Sequence, residues 1–287
     1  MFGRPLSEAL PPFGINLIRW LLACAILIPL TLAFEGRFPR PARRLWPSLV
    51  TMAITGVLLF NALVYLSLEY TTSTNAALIN GITPILTIIL AATIGSDRLT
   101  GRRLVGAFGS LIGVSWIISQ GSLEAFLSFS FNRGDLIMMV AALLWAIYTI
   151  LVNRVMHTLS PLATATITTM LSLPLLVVVG GYELAKGPIG PITPVVVIGL
   201  VYIGSVASVA AFISWSIGIG GVGPARGSVF LNFIPVYTAI IATFTLGERL
   251  GLAQLIGGVL VICGVTLASS GGWKRAEGGT TPVETMK

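Results

Sequence analysis

Runs of about twenty apolar residues, separated by short connectors, constrain this chain more than any other feature of its sequence. A run of roughly 18 to 25 apolar residues can cross the hydrocarbon core of a bilayer as an α-helix. We find nine such runs, at residues 12–34, 45–68, 72–94, 101–118, 135–155, 161–184, 192–217, 223–246 and 252–268. Charged residues make up only 9% of the chain, whereas soluble domains carry about a quarter. The sequence therefore predicts an all-α membrane protein whose environment is the lipid bilayer, with nine complete spans.

The basic residues predict an orientation in the membrane rather than a nucleic-acid partner. The net charge is +7, but Lys and Arg lie in short connectors and form no basic stripe with interleaved aromatic residues. Twelve of the 17 Lys and Arg residues fall on one side if the C-terminus is cytoplasmic. Because basic residues concentrate in cytoplasmic loops, we predict a cytoplasmic C-terminus and, with nine spans, an external N-terminus.

An internal repeat follows from two similar segments, each with a central proline. The sequences are GITPILTIILAATIGSDRL at 81–99 and NFIPVYTAIIATFTLGERL at 232–250. Aligning Pro84 with Pro235 gives an offset of 151, which also pairs Thr87 with Thr238, Arg98 with Arg249, Gly106 with Gly257, and Gly113 with Gly264. We expect a first repeat at 1–119, an external connector at 120–134, a second repeat at 135–270 and a disordered cytoplasmic tail at 271–287.

The repeat also predicts that the first half is one helix short. LPPF at 10–13 resembles LSPL at 159–162, an offset of 149. In the second half, the helix before this motif begins about 15 residues ahead of the counterpart of Met1. The first half thus has four spans and a stub where the second half has five. An odd number of crossings per repeat inverts the second copy, so we expect an inverted repeat of helical bundles.

The paired prolines are candidate hinges of an alternating-access machine. A proline has no N–H and frees the carbonyl four residues earlier, here those of Asn80 and Leu231. Such carbonyls in a membrane interior need a polar partner, water or a ligand. The alternative is that each proline only bends its helix for packing.

Polar and aromatic residues on helical faces are the candidates for contact with a solute. Neutral polar side chains near the prolines either line a cavity or join helices by hydrogen bonds. The deep aromatic residues offer flat apolar surfaces with one polar group each, although Trp and Tyr also form belts at membrane interfaces. The substrate-binding candidates are Asn61, Tyr65, Asn80, Thr83, Trp145, Tyr148, Ser205, Ser208, Trp215, Ser228 and Asn232.

Few charged residues lie within the predicted spans, and this restricts the possible solutes and coupling mechanisms. No Asp or Glu lies in the middle of a predicted span, and Arg19 is the one basic residue away from the span ends. Intramembrane carboxylates are the usual proton relays, and phosphorylated substrates need a cationic clamp. We therefore expect a neutral or zwitterionic small-molecule solute without proton coupling. With a single histidine, no nucleophile–base pair and no metal-ligand cluster, the sequence predicts neither an enzyme nor a cofactor.

The segments at 17–30, 77–117 and 230–265 resemble the EamA-type repeats of the drug/metabolite transporter superfamily. The shared pattern is an apolar helix with a central proline, then Gly, an acid, Arg and Leu, and then a glycine-rich helix. Less closely, the chain resembles aromatic amino-acid exporters of that superfamily. The resemblance implies five plus five helices with both termini cytoplasmic, a multi-pass location in a bacterial inner membrane, and export of amino acids including aromatic ones. Another metabolite or drug class, or a non-transporting membrane partner protein, remains an alternative; a monomer is compatible with the sequence.

Overall fold

The computed structural model describes residues 3–95, 97, 99–122, 124, 132–246 and 251–270, and their regular secondary structure is helical throughout. We number the longer helical segments α1 to α10. They are α1 Gly3–Ala9, α2 Pro12–Glu35, α3 Arg43–Ser67, α4 Ser73–Thr93, α5 Gly101–Ile118, α6 Arg133–Met156, α7 Pro161–Lys186, α8 Pro194–Val222, α9 at 224–246 and α10 Leu252–Ser269. The predicted tail at 271–287 and most of the predicted connector at 120–134 lie outside the described residues.

Seven of these helices are long and apolar enough to cross a membrane, so the prediction of nine spans is too high by this measure. The two predicted spans that fall short are both helical. Helix α5 carries Arg102 and Arg103 in its first turn, which lower its apolarity. Segment α9 is helical in successive pieces, as α3 and α8 also are: Pro224–Gly227, a 3₁₀ stretch Ser228–Phe233 and Ile234–Leu246.

Helices α5 and α10 cross in close, antiparallel contact through glycines. A Cβ atom on Gly106 would lie 2.6 Å from the Gly264 carbonyl oxygen, and one on Gly113 would lie 2.7 Å from that of Gly257. At one end of the pair, Arg102 donates to the Ser270 hydroxyl at 2.8 Å. These four glycines permit the close crossing, since only residues without a side chain allow this approach.

We expect Gly264→Ala to destabilise the protein, because the added methyl would overlap the backbone of Ser110. Overpacking of this kind costs about 1–3 kcal/mol. Gly109→Ala is the matched control, since its Cβ would meet nothing closer than 3.9 Å and alanine is the better helix former. Thermal unfolding in detergent should rank Gly264→Ala below wild type and Gly109→Ala at or above it. Equal midpoints for both variants would contradict the packing account.

A second antiparallel pair is formed by α2 and α7. The Thr31 and Thr166 hydroxyls hydrogen-bond at 2.6 Å, and Gly180 lies against Leu17. At the start of α2, the Glu183 carboxylate accepts the Phe13 backbone N–H at 2.8 Å. These contacts run the full length of the pair and fix α2, which carries residues of the candidate site.

Two helices contain π-helical segments in corresponding places. They cover Ala53–Leu59 in α3 and Ile203–Ala210 in α8, an offset of 150. In the first, a Cβ atom on Gly56 would overlap the ring of Tyr148; in the second, one on Gly204 would lie 2.8 Å from the Leu22 Cβ. A π-helix shifts the register of backbone hydrogen bonds and is common at functional sites. Periodicity in the sequence does not predict either segment.

Helix α6 lies inside the bundle, packed against α3, α4 and α8. Its N-terminus is closed by a capping box in which Asn132 accepts the Asp135 backbone N–H and the Asp135 carboxylate accepts that of Asn132. The Thr71 hydroxyl donates to the same carboxylate at 2.6 Å, which joins α6 to the connector between α3 and α4. This anchoring holds the inward face of α6, which carries Trp145 and Tyr148, in a defined register.

Candidate functional site

An aromatic cluster occupies the centre of the bundle and is built by four helices. Trp145 of α6 lies at its middle, with ring centroids 4.5 Å from Phe60, 5.1 Å from Tyr148, 5.5 Å from Phe212 and 5.8 Å from Trp215. The cluster continues to α2, because Phe212 meets Trp20 edge-on at 5.0 Å. Trp145, Tyr148 and Trp215 were predicted from sequence as site residues, and the structure brings all three together. Their partners Trp20 and Phe60 were not predicted.

Three tryptophans of this aromatic cluster have buried indole N–H groups that meet no acceptor within the described part of the chain. They are Trp20, Trp145 and Trp215. Buried indole N–H groups usually find a partner, and an unpaired buried donor is costly. The Tyr148 hydroxyl, by contrast, hydrogen-bonds with Ser216. The aromatic cluster therefore offers apolar ring surface and several donors that lack acceptors.

Arg19 is buried beside the aromatic cluster, at 6% exposure. Its Nη1 donates to Asn61 Oδ1 at 2.6 Å, and its Nη2 donates to the Ala207 carbonyl at 3.4 Å. Its Nε donates to the Ser208 hydroxyl. The guanidinium carbon lies 5.3 Å from the ring centroid of Trp20. Among the described residues, only neutral groups accept hydrogen bonds from this cation.

Three predicted site residues thus gather around an arginine to which the sequence interpretation gave no role. Asn61 and Ser208 accept hydrogen bonds from Arg19, and the Tyr65 hydroxyl interacts with the same guanidinium. The sequence shows that Arg19 is away from the ends of its span but not what surrounds it. Its burial depends on the partners that α3 and α8 supply, which local sequence does not reveal.

Asn16 lies one turn before Arg19 on α2 and is fully buried. Its Nδ2 donates to the carbonyls of Val57 and Leu58, at 3.2 and 2.9 Å. Both carbonyls belong to the π-helical segment of α3. Among the described residues, the Asn16 Oδ1 is buried without a donor, which makes it a free acceptor three residues before the arginine on the same helix.

A second group of predicted residues surrounds a small cavity between α4 and α9. The cavity has a volume of about 50 Å³, which is room for one or two water molecules. Asn232 Nδ2 donates to the Ser110 hydroxyl at 2.7 Å, while its Oδ1 is buried and unpaired. Thr83 donates to Asn80 Oδ1 at 3.2 Å. The cavity is lined by Ala77, Asn80, Gly81, Val114, Leu231, Asn232, Ile234 and Pro235.

Two predicted site residues join neither group. Ser205 donates to the Val201 carbonyl of its own helix at 2.6 Å. Ser228 donates to the Ala225 carbonyl at 3.4 Å and packs in the interior of α9. Both hydroxyls donate within their own helix and keep their acceptor capacity, so their contact with a solute stays a prediction.

The prolines occupy equivalent positions in two broken helices. Pro84 is the second residue of the piece Thr83–Thr93, and Pro235 is the second residue of Ile234–Leu246. The Leu231 carbonyl, which we expected to be free, instead accepts the Ile234 backbone N–H. The 3₁₀ geometry before Pro235 causes this, because its bonds join residues three apart.

An open groove borders Trp215 on the side of α8 and α9. Its volume is about 520 Å³, and its walls are mostly apolar. It is lined by Ala211, Ser214, Trp215, Gly218, Ile219, Val222, Gly227 and Phe230. Trp215 therefore separates the buried aromatic cluster from an outer surface of the bundle.

These features together define a multi-pass helical membrane protein with a polar and aromatic interior. Residues 1–119 and 132–270 both match the EamA-like transporter family, and the chain belongs to that family. It is 36% identical to the uncharacterized transporter YyaM of Bacillus subtilis (strain 168), over 93% of this chain and 85% of the relative.

The chain is also similar to a transporter whose name gives its substrate and to a protein of solved structure. The chain is 24% identical to a probable terminal-alkyne amino-acid exporter of Streptantibioticus cattleyicolor, over 85% of this chain and 80% of that protein. A solved crystal structure superposes with a TM-score of 0.74 at 18% identity, over 93% of this chain and 90% of the other. At that identity the superposition establishes the helical fold alone.

Proposed function

We propose that this protein moves small neutral or zwitterionic organic solutes across the cell membrane, namely amino acids including aromatic ones. The observation that carries the proposal is the aromatic cluster around Trp145, which lies in the membrane interior beside hydrogen-bonding groups. The aromatic side chain of a solute can insert among these rings at little cost, because its contacts with the rings replace contacts that the rings make with one another. The similarity to an amino-acid exporter supports the same substrate class.

We further propose that transport uses alternating access between two inverted repeats, at 1–119 and 135–270. The contacts of the paired helices support this. The offset of 151 turns the contact between Gly106 and Gly264 into one between Gly257 and Gly113, and that contact is present. A set of contacts that maps onto itself when the two partners exchange has two-fold symmetry.

The pair of α2 and α7 obeys the same relation. The offset of 149 turns the contact between Thr31 and Thr166 into one between Gly180 and Leu17, and that contact is also present. Because the two helices of each pair are antiparallel, a two-fold axis in the membrane plane would exchange one helix of the pair with the other. We also propose that the C-terminus lies on the cytoplasmic side of the membrane. The end of α10 lies beside Arg102, and most basic residues fall on that side.

The test is solute flux into liposomes that contain the purified protein. We expect phenylalanine, tryptophan and methionine to move down their gradients without a pH gradient, because no carboxylate occupies the middle of the predicted spans. Liposomes without protein are the control. Flux that required an imposed proton gradient, or a preference for phosphorylated sugars, would contradict the proposal.

A further inference from the structure

We infer that Arg19 and Asn16 bind the two charged ends of an α-amino acid. Arg19 would pair with the carboxylate, and the free Asn16 Oδ1 would accept a hydrogen bond from the ammonium group. The inference rests on the proposed function and sharpens it. It predicts that a solute must carry both groups to bind well, and it assigns a specificity role to an arginine that the sequence alone did not select.

Arg19 lies near the middle of a membrane-spanning helix, too far from the helix ends to act as a surface arginine. The residue lies four to five positions from the middle of α2, Pro12–Glu35, or about 7 Å along the helix axis. Its partner Ser208 lies at the middle of α8, Pro194–Val222. Ionisable residues at such depth are rare, face the interior of the bundle and mark solute pathways.

The hydrogen bonds of Arg19 orient the guanidinium but leave its charge without a counter-ion. Its acceptors are the Asn61 amide, the Ser208 hydroxyl, the Ala207 carbonyl and the Tyr65 hydroxyl, and none of them is a carboxylate. These four bonds leave one of the five guanidinium N–H groups. A carboxylate that accepts from this N–H would form a charge-assisted hydrogen bond. The site therefore matches an anion that is not part of the described chain.

Asn16 supplies the complementary acceptor, and its orientation is determined by the structure. Both of its described Nδ2 bonds go to backbone carbonyls, so the amide cannot be exchanged end for end without losing them. Its Oδ1 then remains buried and unpaired. Residues three apart on a helix are neighbours on one face, so this oxygen and the guanidinium project from the same side of α2.

The aromatic cluster begins next to this pair of groups. Trp20 lies against the Arg19 guanidinium at 5.3 Å and meets Phe212 at 5.0 Å, and Phe212 in turn contacts Trp145. An amino acid with its charged ends at Arg19 and Asn16 would therefore direct its side chain toward aromatic surface. The unpaired indole N–H of Trp20 adds a donor near the expected carboxylate.

The first experiment uses the wild-type protein and three related compounds. L-Phenylalanine has both charged groups, phenethylamine lacks the carboxylate, and 3-phenylpropionate lacks the ammonium. Affinity is measured from the ligand-dependent rise of the unfolding temperature in detergent, and flux from proteoliposomes. We expect phenylalanine to bind at least about tenfold more tightly than either analogue, since each analogue loses a hydrogen bond to a buried charged or polar partner.

Two variants then assign the effects to residues. Arg19→Gln should weaken phenylalanine and 3-phenylpropionate binding by about tenfold to a hundredfold, the range for lost charged hydrogen bonds, and leave phenethylamine unchanged. Asn16→Ala should weaken phenylalanine and phenethylamine but leave 3-phenylpropionate unchanged. Arg19→Lys should retain part of the affinity, because a lysine keeps the charge but loses the planar guanidinium that Asn61 and Ser208 orient. Arg133→Gln removes an exposed arginine and is the matched control.

The outcomes separate this inference from the function on which it rests. Equal binding of phenylalanine and phenethylamine by the wild type overturns the inference, whether or not the variants fold. Flux of phenylalanine that is unchanged in folded Arg19→Gln also overturns it while leaving the proposed function intact. If the wild type neither binds nor moves any aromatic amino acid, the proposed function itself fails.

Discussion

Replacing Trp145 with alanine should lower the rate of phenylalanine transport by about threefold to tenfold more than the rate of threonine transport. The rings around Trp145 would contact an aromatic side chain, and one such contact contributes about 0.5–1.5 kcal/mol beyond burial. Threonine makes no ring contact and should depend on Trp145 only through the integrity of the fold. The ratio of the two initial rates in proteoliposomes is the measurement, because it does not depend on how much protein is folded.

Trp46→Ala is the matched control for this prediction. Trp46 is 42% exposed at the beginning of α3 and takes no part in the described aromatic cluster. Its loss should change both rates equally. A Trp145→Ala variant with the wild-type ratio of phenylalanine to threonine would show that the aromatic cluster is only a packed core.

Pro84→Ala and Pro235→Ala should each slow transport and shift the protein toward opposite faces of the membrane. Each proline begins a new helical piece, so alanine would allow a continuous helix across the break. If the two breaks are the moving joints of inverted halves, stiffening one should favour the inward-open shape and stiffening the other the outward-open shape. Labelling of single introduced cysteines with a membrane-impermeant reagent, from each side, reports this shift.

The control for the prolines is Pro191→Ala, which lies exposed in the connector before α8. It should alter neither flux nor labelling. A shift in the same direction from Pro84→Ala and Pro235→Ala would contradict the inverted arrangement. A loss of stability without any change of flux would mean that the breaks serve packing alone.

The helical architecture could be predicted from sequence because it depends on patterns that repeat along the chain. Apolar runs predict membrane helices, and the duplicated proline segment predicts equivalent breaks in α4 and α9. The repeat offset also pairs the glycines at which α5 and α10 cross. The π-helical segments at Ala53–Leu59 and Ile203–Ala210 could not be predicted, since they depend on how neighbouring helices approach Gly56 and Gly204.

The residues of the candidate site could be predicted only where they lie together on one face of a single helix. Trp145 and Tyr148 share a face of α6, and the structure places them in one aromatic cluster. Arg19 is different, because its partners Asn61 and Ser208 come from helices that are 42 and 189 residues away in sequence. The free Asn16 oxygen likewise results from the π-helical carbonyls that occupy its amide nitrogen. A site whose residues come from several helices can be recognised only when the packing of those helices is known.

Counterflow in proteoliposomes is the sharpest experiment on the claim that this protein carries amino acids by alternating access. Vesicles loaded with unlabelled phenylalanine are diluted into a trace of labelled phenylalanine, with equal pH on both sides. An alternating-access protein returns to the outside face loaded with unlabelled solute, so we expect the label to accumulate transiently above its external concentration. Label that enters at the same rate with or without internal phenylalanine, and never exceeds the external level, would contradict the claim.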